Sequence, residues 1–374
     1  MNNIYMKNTY LQQIVVGGKS SDNQRVVGLD YLRVSLAILI FLFHSHIHVL
    51  HCDYGFLNGF IDMGAIAMTG FFLLSGYTLN LTNRKVENVG DIKKFYLKRL
   101  ISILPLYYAW ALVNIGQNIL IDGSDAVVEE LILFPIEALG IQSVYATLFP
   151  FSHNGGSWFI SCILICYFVY PLIQTLTKSL TDRSRIRIIL ILGAILLWSP
   201  FVQYYFDLQT IYSNPFFRVL EFSIGISVSQ MNVQTQTDNK LILLLRKPLV
   251  CVLSAIGLVA GVSIAYYIGV PHDFMLYNWV ALPCFISLLV SLGYLNLRSS
   301  RVLQYMSNLS FSIFLSQLIV VWYGVKFILG TVGCESNLAK IILSAFVCFG
   351  VANFFHYGIE KPSTKYFKAK FFKT

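Results

Sequence analysis

The segment LDYLRVSLAILIFLFHSHIHV, from Leu29 to Val49, decides the fold, because its apolar run is long enough to cross a lipid bilayer. Arg33 precedes the run, and His44 follows eleven residues later, near its end. Eleven residues make close to three helical turns, so both side chains are predicted on one helix face, about 16 Å apart along the axis. An ionisable group at this depth is costly in lipid, which predicts that the face points into a helix bundle and has a function.

The rest of the chain is equally apolar. Of its 374 residues, 56% are hydrophobic and 12% are charged, and the mean hydropathy is +0.66. Soluble domains contain about 45–50% apolar and about 25% charged residues. We therefore predict an all-α polytopic membrane bundle of about ten transmembrane helices, at residues 30–50, 60–82, 100–121, 157–177, 186–206, 214–231, 248–268, 274–294, 309–329 and 338–358.

The basic residues predict the orientation of these spans. The predicted spans place almost all of the 27 Lys and Arg residues on the same side of the membrane as the N-terminus. The exceptions are Arg218, Lys326 and Lys340. Basic residues favour the cytoplasm, so both termini are predicted to be cytoplasmic. The net charge of +9 is thus explained by topology, and no nucleic-acid partner is predicted. The domains follow as a cytoplasmic segment 1–28, a transmembrane domain 29–360 and a basic tail 361–374.

His44 has two alternatives to a catalytic role. It can be an ordinary core histidine, or it can bind a metal together with His48 and His51, which continue its helix face. No carboxylate or thiolate lies at matching spacing in this helix, so no metal site is predicted. The seven cysteines show no metal-finger spacing and fall mostly in apolar runs, as expected of small core residues.

Further motifs follow in a fixed order along the predicted helices. Together with Arg33 and His44 they resemble acyltransferase family 3, the integral membrane acyltransferases that modify bacterial surface polysaccharides. The resemblance extends over roughly residues 25 to 362. The motifs are GLDYLR at 28–33, GFFLLSGYTLNL at 70–81, KFYLKRLISILPLYY at 94–108, FRVLEFSIGI at 217–226 and LSFSIFLSQ at 309–317.

The resemblance implies roles for individual residues. Arg33 and His44 match the family's functional pair, and His44 is expected to take the proton of a sugar hydroxyl, as a histidine near neutral pKa can do. Arg99 matches the first arginine of the family's R-x-x-R, whereas Ser102 replaces the second and Lys98 is the nearest substitute. The donor is expected to be acetyl-CoA, with its phosphates bound by Arg33, Lys98 and Arg99. Topology alone also explains Lys98 and Arg99.

The sequence departs from the family pattern at two positions. Many members have W-S-L-S-V-E in the fourth helix, where this chain has Ile163 in place of the glutamate. Many also end a Y-L-x-H element of a late helix with histidine, where this chain has Gln317. His44 is then the intramembrane histidine that matches a family motif.

A second set of residues is expected near the acceptor. Arg218 and Glu221 lie at i and i+3 and form either a structural ion pair or part of the acceptor cavity. Trp158 either stacks on a sugar ring or is an interfacial aromatic residue. Ser75 either lines the cavity or allows close helix packing.

The sequence therefore predicts a membrane O-acetyltransferase in the bacterial cytoplasmic (inner) membrane, with no permanently bound cofactor. It would transfer an acyl group from acetyl-CoA to a sugar hydroxyl of O-antigen, capsule or exopolysaccharide, supplied as a glycan or a lipid-linked glycan. A polysaccharide polymerase or exporter is the first alternative, although its outer loop should be rich in arginine and loop 122–156 is acidic. A proton-coupled transporter is the second, although no repeated halves are visible.

Overall fold

The protein is an assembly of α-helices, seen in a computed structural model that describes residues 25–82, 86, 88–145, 157–208, 211–233, 239–317 and 319–372. The described residues contain no strand. Two short helices, Asn58–Asp62 and Lys240–Leu245, lie between the longer ones. The longer helices are α1 Val27–Ile47, α2 Ala67–Thr82, α3 Val89–Asp122, α4 Ser124–Ala138, α5 Ser157–Lys178, α6 Asp182–Tyr205, α7 Pro215–Val233, α8 Pro248–Tyr267, α9 Asn278–Tyr294, α10 Arg301–Ser316, α11 Ile319–Thr331, α12 Asn337–Phe355 and α13 Lys361–Phe371.

Each predicted span coincides with a helix or a pair of helices, but these helices differ in length and in apolar character. Among the described residues, seven helices are long and apolar enough to cross a membrane, namely those containing α1, α2, α3, α5, α6, α8 and α12. Helix α9, with 17 residues, is apolar but short. Helix α7 contains Arg218 and Glu221 and is not among the helices that are long and apolar enough to cross a membrane. The protein is therefore a multi-pass membrane protein, while the count of ten and the orientation stay predictions.

Two segments differ from their predicted form. The predicted span 309–329 consists of two helices, Arg301–Ser316 and Val321–Thr331, whose axes meet at 79°. The predicted loop 122–156 contains helix α4, whose 15 residues extend about 22 Å, less than the roughly 30 Å of a bilayer core. The part of that loop at 146–156 lies outside the described residues.

Glycines bring α2 and α7 into direct backbone contact. A Cβ atom added at Gly76 would lie 2.0 Å from the carbonyl oxygen of Phe222, and one added at Gly225 would lie 2.0 Å from that of Leu73. Small residues allow this approach between membrane helices, where packing and not the hydrophobic effect holds neighbours together. The motifs at 70–81 and 217–226 therefore meet at the centre of the fold.

Candidate active site

Arg33 lies in a polar cluster between α1 and α10. Its Nη1 donates to Ser307 Oγ at 3.1 Å and to Asp30 Oδ1 at 3.4 Å, and Ser307 Oγ donates to the same Asp30 oxygen at 2.6 Å. Arg25 forms an ion pair with the other oxygen of Asp30. Asp30 is sealed, with 4% of its side chain exposed, whereas Arg33 keeps 31% although it lies among helices. Arg25 and Arg33, with 36% and 31% of their side chains exposed, are therefore the members of the cluster that a ligand can reach.

The side chains of Arg99 and Lys98 contact different parts of the bundle. The Arg99 guanidinium is 5.6 Å from the ring centroid of Tyr167. The Tyr167 hydroxyl is 3.4 Å from Ser75 Oγ, so Ser75 belongs to the same level of the bundle. Lys98 is exposed and lies over the ring of Phe372, beyond α13. The structure thus brings Arg99 and Ser75 to Tyr167 and separates the side chain of Lys98 from them.

His44 lies near the opposite end of α1, next to the break between α10 and α11. Its Nδ1 is 3.0 Å from Oε1 of Gln317, the residue that directly follows α10. An amide oxygen only accepts hydrogen bonds, so Nδ1 carries the hydrogen and Nε2 is left with its lone pair. The imidazole is half-buried, and its centroid is 5.3 Å from that of His48. His44 therefore has the tautomer that a general base needs.

Arg33 and His44 share a face of α1, as their spacing predicts. Arg33 contacts Ser307 and His44 contacts Gln317, which lie ten residues apart on the same neighbouring chain segment. Both separations are close to three helical turns, so α1 and α10 run parallel to each other. Arg33 and His44 therefore lie near opposite ends of the interface between α1 and α10.

Three phenylalanine rings lie between these two levels. Phe314 of α10 is seven residues beyond Ser307 and three before Gln317. Its ring centroid is 5.0 Å from that of Phe159 and 6.5 Å from that of Phe71, and the last two are 6.3 Å apart. We call Phe71, Phe159 and Phe314 the aromatic layer. Phe314 places this layer along α10 between the residues that contact Arg33 and His44.

Arg218 and Glu221 form a fully buried ion pair. Arg218 Nη1 is 2.8 Å and 2.9 Å from the two carboxylate oxygens of Glu221, and neither side chain has exposed surface. Thr69 donates to Glu221 at 2.7 Å, and Arg218 Nε donates to the backbone oxygen of Tyr212 at 2.7 Å. Satisfied partners on α2 and α7 compensate the cost of burying both charges. The arrangement favours a structural role, and a role in the acceptor cavity stays a prediction.

Trp158 packs against this ion pair. Its ring centroid is 5.5 Å from the Arg218 guanidinium and 4.9 Å from the ring of Tyr212, and 5% of the residue is exposed. Tyr212 contacts Phe274, which in turn contacts Phe43, the residue before His44. A series of aromatic rings thus connects Trp158 to the neighbourhood of His44, while stacking of Trp158 on a sugar stays a prediction.

Tyr167 and Gln317 are the residues that sequence reasoning did not assign to the site. A tyrosine in a membrane helix resembles an interfacial aromatic residue, so nothing in the sequence marks Tyr167. The family resemblance could have pointed to Gln317, because many family members have histidine at this position. Among the described residues, no group of three or more His, Cys, Asp or Glu side chains has a geometry that could hold a metal ion.

These observations define a class of protein: a multi-pass membrane protein with a buried imidazole and a cationic cluster on one helix face. A family model described as an acyltransferase domain matches residues 26–357, which is nearly the whole chain. The chain belongs to acyltransferase family 3 and is an acyltransferase. No curated protein and no solved structure matches it.

Proposed function

We propose that the protein transfers an acetyl group from acetyl-CoA to a sugar hydroxyl of a bacterial surface polysaccharide or its lipid-linked precursor, in the cytoplasmic membrane. The observation that carries the proposal is the position of His44, half-buried on the same face as Arg33 and with Nδ1 held by Gln317. Membership of an acyltransferase family favours this reaction over the polymerase, exporter and transporter alternatives.

The donor is bound through its charges. Coenzyme A carries several phosphates, which arginine binds through two parallel hydrogen bonds. Arg33 on α1 and Arg99 on α3 can bind them from two helices. From there the thin pantetheine arm extends along α1 and past the aromatic layer, which brings its thioester to His44.

His44 supplies the base. Its Nε2 takes the proton of the acceptor hydroxyl as the hydroxyl oxygen attacks the thioester carbonyl carbon. The tetrahedral intermediate then collapses, the carbon–sulfur bond breaks, and the leaving thiolate receives the proton from His44. The products are the sugar ester and coenzyme A. The acceptor reaches His44 from the predicted outer side, where Phe43 contacts Phe274.

The test combines donor binding and transfer. Purified protein is heated with and without acetyl-CoA and coenzyme A, and both ligands are expected to raise its unfolding temperature. His44→Ala is expected to insert normally and to reduce acetylation of the cell's glycan, measured by mass spectrometry, by at least about 10²-fold. His51→Asn, at an exposed position beyond the end of α1, is the matched control and should keep activity. Near-normal acetylation by a well-expressed His44→Ala variant would refute the mechanism.

A further inference from the structure

Gln317 has a hydrogen-bond donor that the interaction with His44 does not use. Its Oε1 accepts from His44, but its Nε2 finds no hydrogen-bond partner among the described residues. Only 5% of the residue is exposed, so bulk water does not readily satisfy this group. A buried amide that lacks a hydrogen bond destabilises the fold, so a native protein keeps such a group only where something compensates it.

The backbone conformation next to Gln317 also points to a functional role for this residue. Helix α10 ends at Ser316, and the chain turns by 79° between α10 and Val321–Thr331. At membrane depth, non-helical backbone is tolerated only where it is buried in protein or lines a polar cavity. Gln317 is thus at a break that faces the site, one side-chain contact from the imidazole.

We propose that Gln317 is a catalytic residue, whose Nε2–H donates to the carbonyl oxygen of the thioester. This inference rests on the proposed function and adds a role that His44 cannot fill. When the acceptor oxygen bonds to the carbonyl carbon, the carbonyl π electrons move to oxygen, and the resulting oxyanion accepts the Gln317 N–H. As the intermediate collapses, the C=O double bond re-forms, the thiolate leaves and takes the proton from His44. Donors placed in advance for an oxyanion stabilise the transition state in this way.

One amide would then serve both halves of the reaction. Its oxygen fixes the His44 tautomer, and its nitrogen stabilises the charge that forms when His44 removes the proton. Histidine could do the same, because a neutral imidazole accepts with one nitrogen and donates with the other. Glutamate at this position keeps only the accepting oxygen, and methionine keeps neither function.

A series of variants separates these roles. Gln317→Met and Gln317→Glu are both expected to lower kcat about 10²-fold or more, without changing the KM for acetyl-CoA. Gln317→His is expected to keep more activity than either. Gln304→Glu and Gln304→Met, at an exposed position on the same helix, are the matched controls and should behave like the unchanged protein. A Gln317→Glu variant with normal kcat would overturn the proposal.

Binding of unreactive donor analogues tests the hydrogen bond without turnover. Acetonyl-CoA has a carbonyl group and cannot be cleaved, whereas S-propyl-CoA has the same length and no carbonyl. The protein is expected to bind acetonyl-CoA several-fold more tightly, and Gln317→Glu to abolish the difference. Equal binding of the two analogues by the unchanged protein refutes the role of Gln317 and leaves the proposed donor intact. Failure of both analogues to bind refutes the proposed donor itself.

Discussion

Lys98 and Arg99 are adjacent in sequence, yet their side chains contact different parts of the molecule. Arg99 lies over Tyr167, while Lys98 lies over Phe372. We expect Arg99→Ala to raise the KM for acetyl-CoA about tenfold, the loss of roughly one charged hydrogen bond. Steady-state kinetics at several donor concentrations measure this effect. Lys98→Ala is the neighbouring control, and an equal effect of both variants would show that only overall positive charge matters.

The buried pair of Arg218 and Glu221 makes a prediction about stability. Arg218→Met or Glu221→Gln leaves one buried polar or charged group without its partner, which we expect to cost about 3–5 kcal/mol where a charge is stranded. The double variant Arg218→Met/Glu221→Leu should recover much of that loss. Thermal unfolding in detergent and acetylation of the glycan are both measured. A double variant that folds well but cannot acetylate would favour the acceptor-cavity role over the structural one.

Some relations between residues of the site can be predicted from the sequence, and others cannot. The shared face of Arg33 and His44 follows from the helical period, because both residues belong to one helix. The pairing of His44 with Gln317 does not, since it depends on which helix packs beside α1. The same holds for Tyr167, which joins Arg99 to Ser75 across three helices.

At the scale of elements, the contact of α2 with α7 depends on two glycines. Gly76→Ala places a Cβ atom 2.0 Å from a backbone oxygen of α7, so the helices must separate. We expect a large loss of folded protein, measured by size-exclusion chromatography of the solubilised membrane fraction. Gly350→Ala in α12 is the control, because nothing lies within 4 Å of the added atom. Similar yields from the two variants would contradict the close approach of α2 and α7.

Hydropathy locates the helices but not their breaks. Prolines occur inside the continuous helices α3, α5, α6 and α9, at Pro105, Pro171, Pro200 and Pro283. The break between α10 and α11 has neither proline nor glycine in the segment FLSQLIV, residues 314–320. Local sequence therefore gives no reason to divide the predicted span 309–329, and tertiary packing decides it.

For the whole molecule, the orientation can be tested with a native cysteine. Cys334 is partly exposed in the turn between α11 and α12, which the distribution of basic residues assigns to the outside. A membrane-impermeant maleimide added to intact cells should label the protein there. Cys334→Ser should remove this labelling. Labelling that appears only after the membrane is permeabilised would invert the predicted topology.

The aromatic layer has a consequence for the cell as well as for catalysis. A continuous column of water from Arg33 to His44 would be a conduit for protons, and each elementary charge crossing the membrane dissipates about 2.3 kcal/mol per 100 mV. Apolar constrictions interrupt such a column by excluding water. Phe71, Phe159 and Phe314 place three apolar rings between the two polar levels, with centroids 5.0 to 6.5 Å apart. We expect these rings to keep water from connecting Arg33 with His44, so that protons do not leak between the two levels.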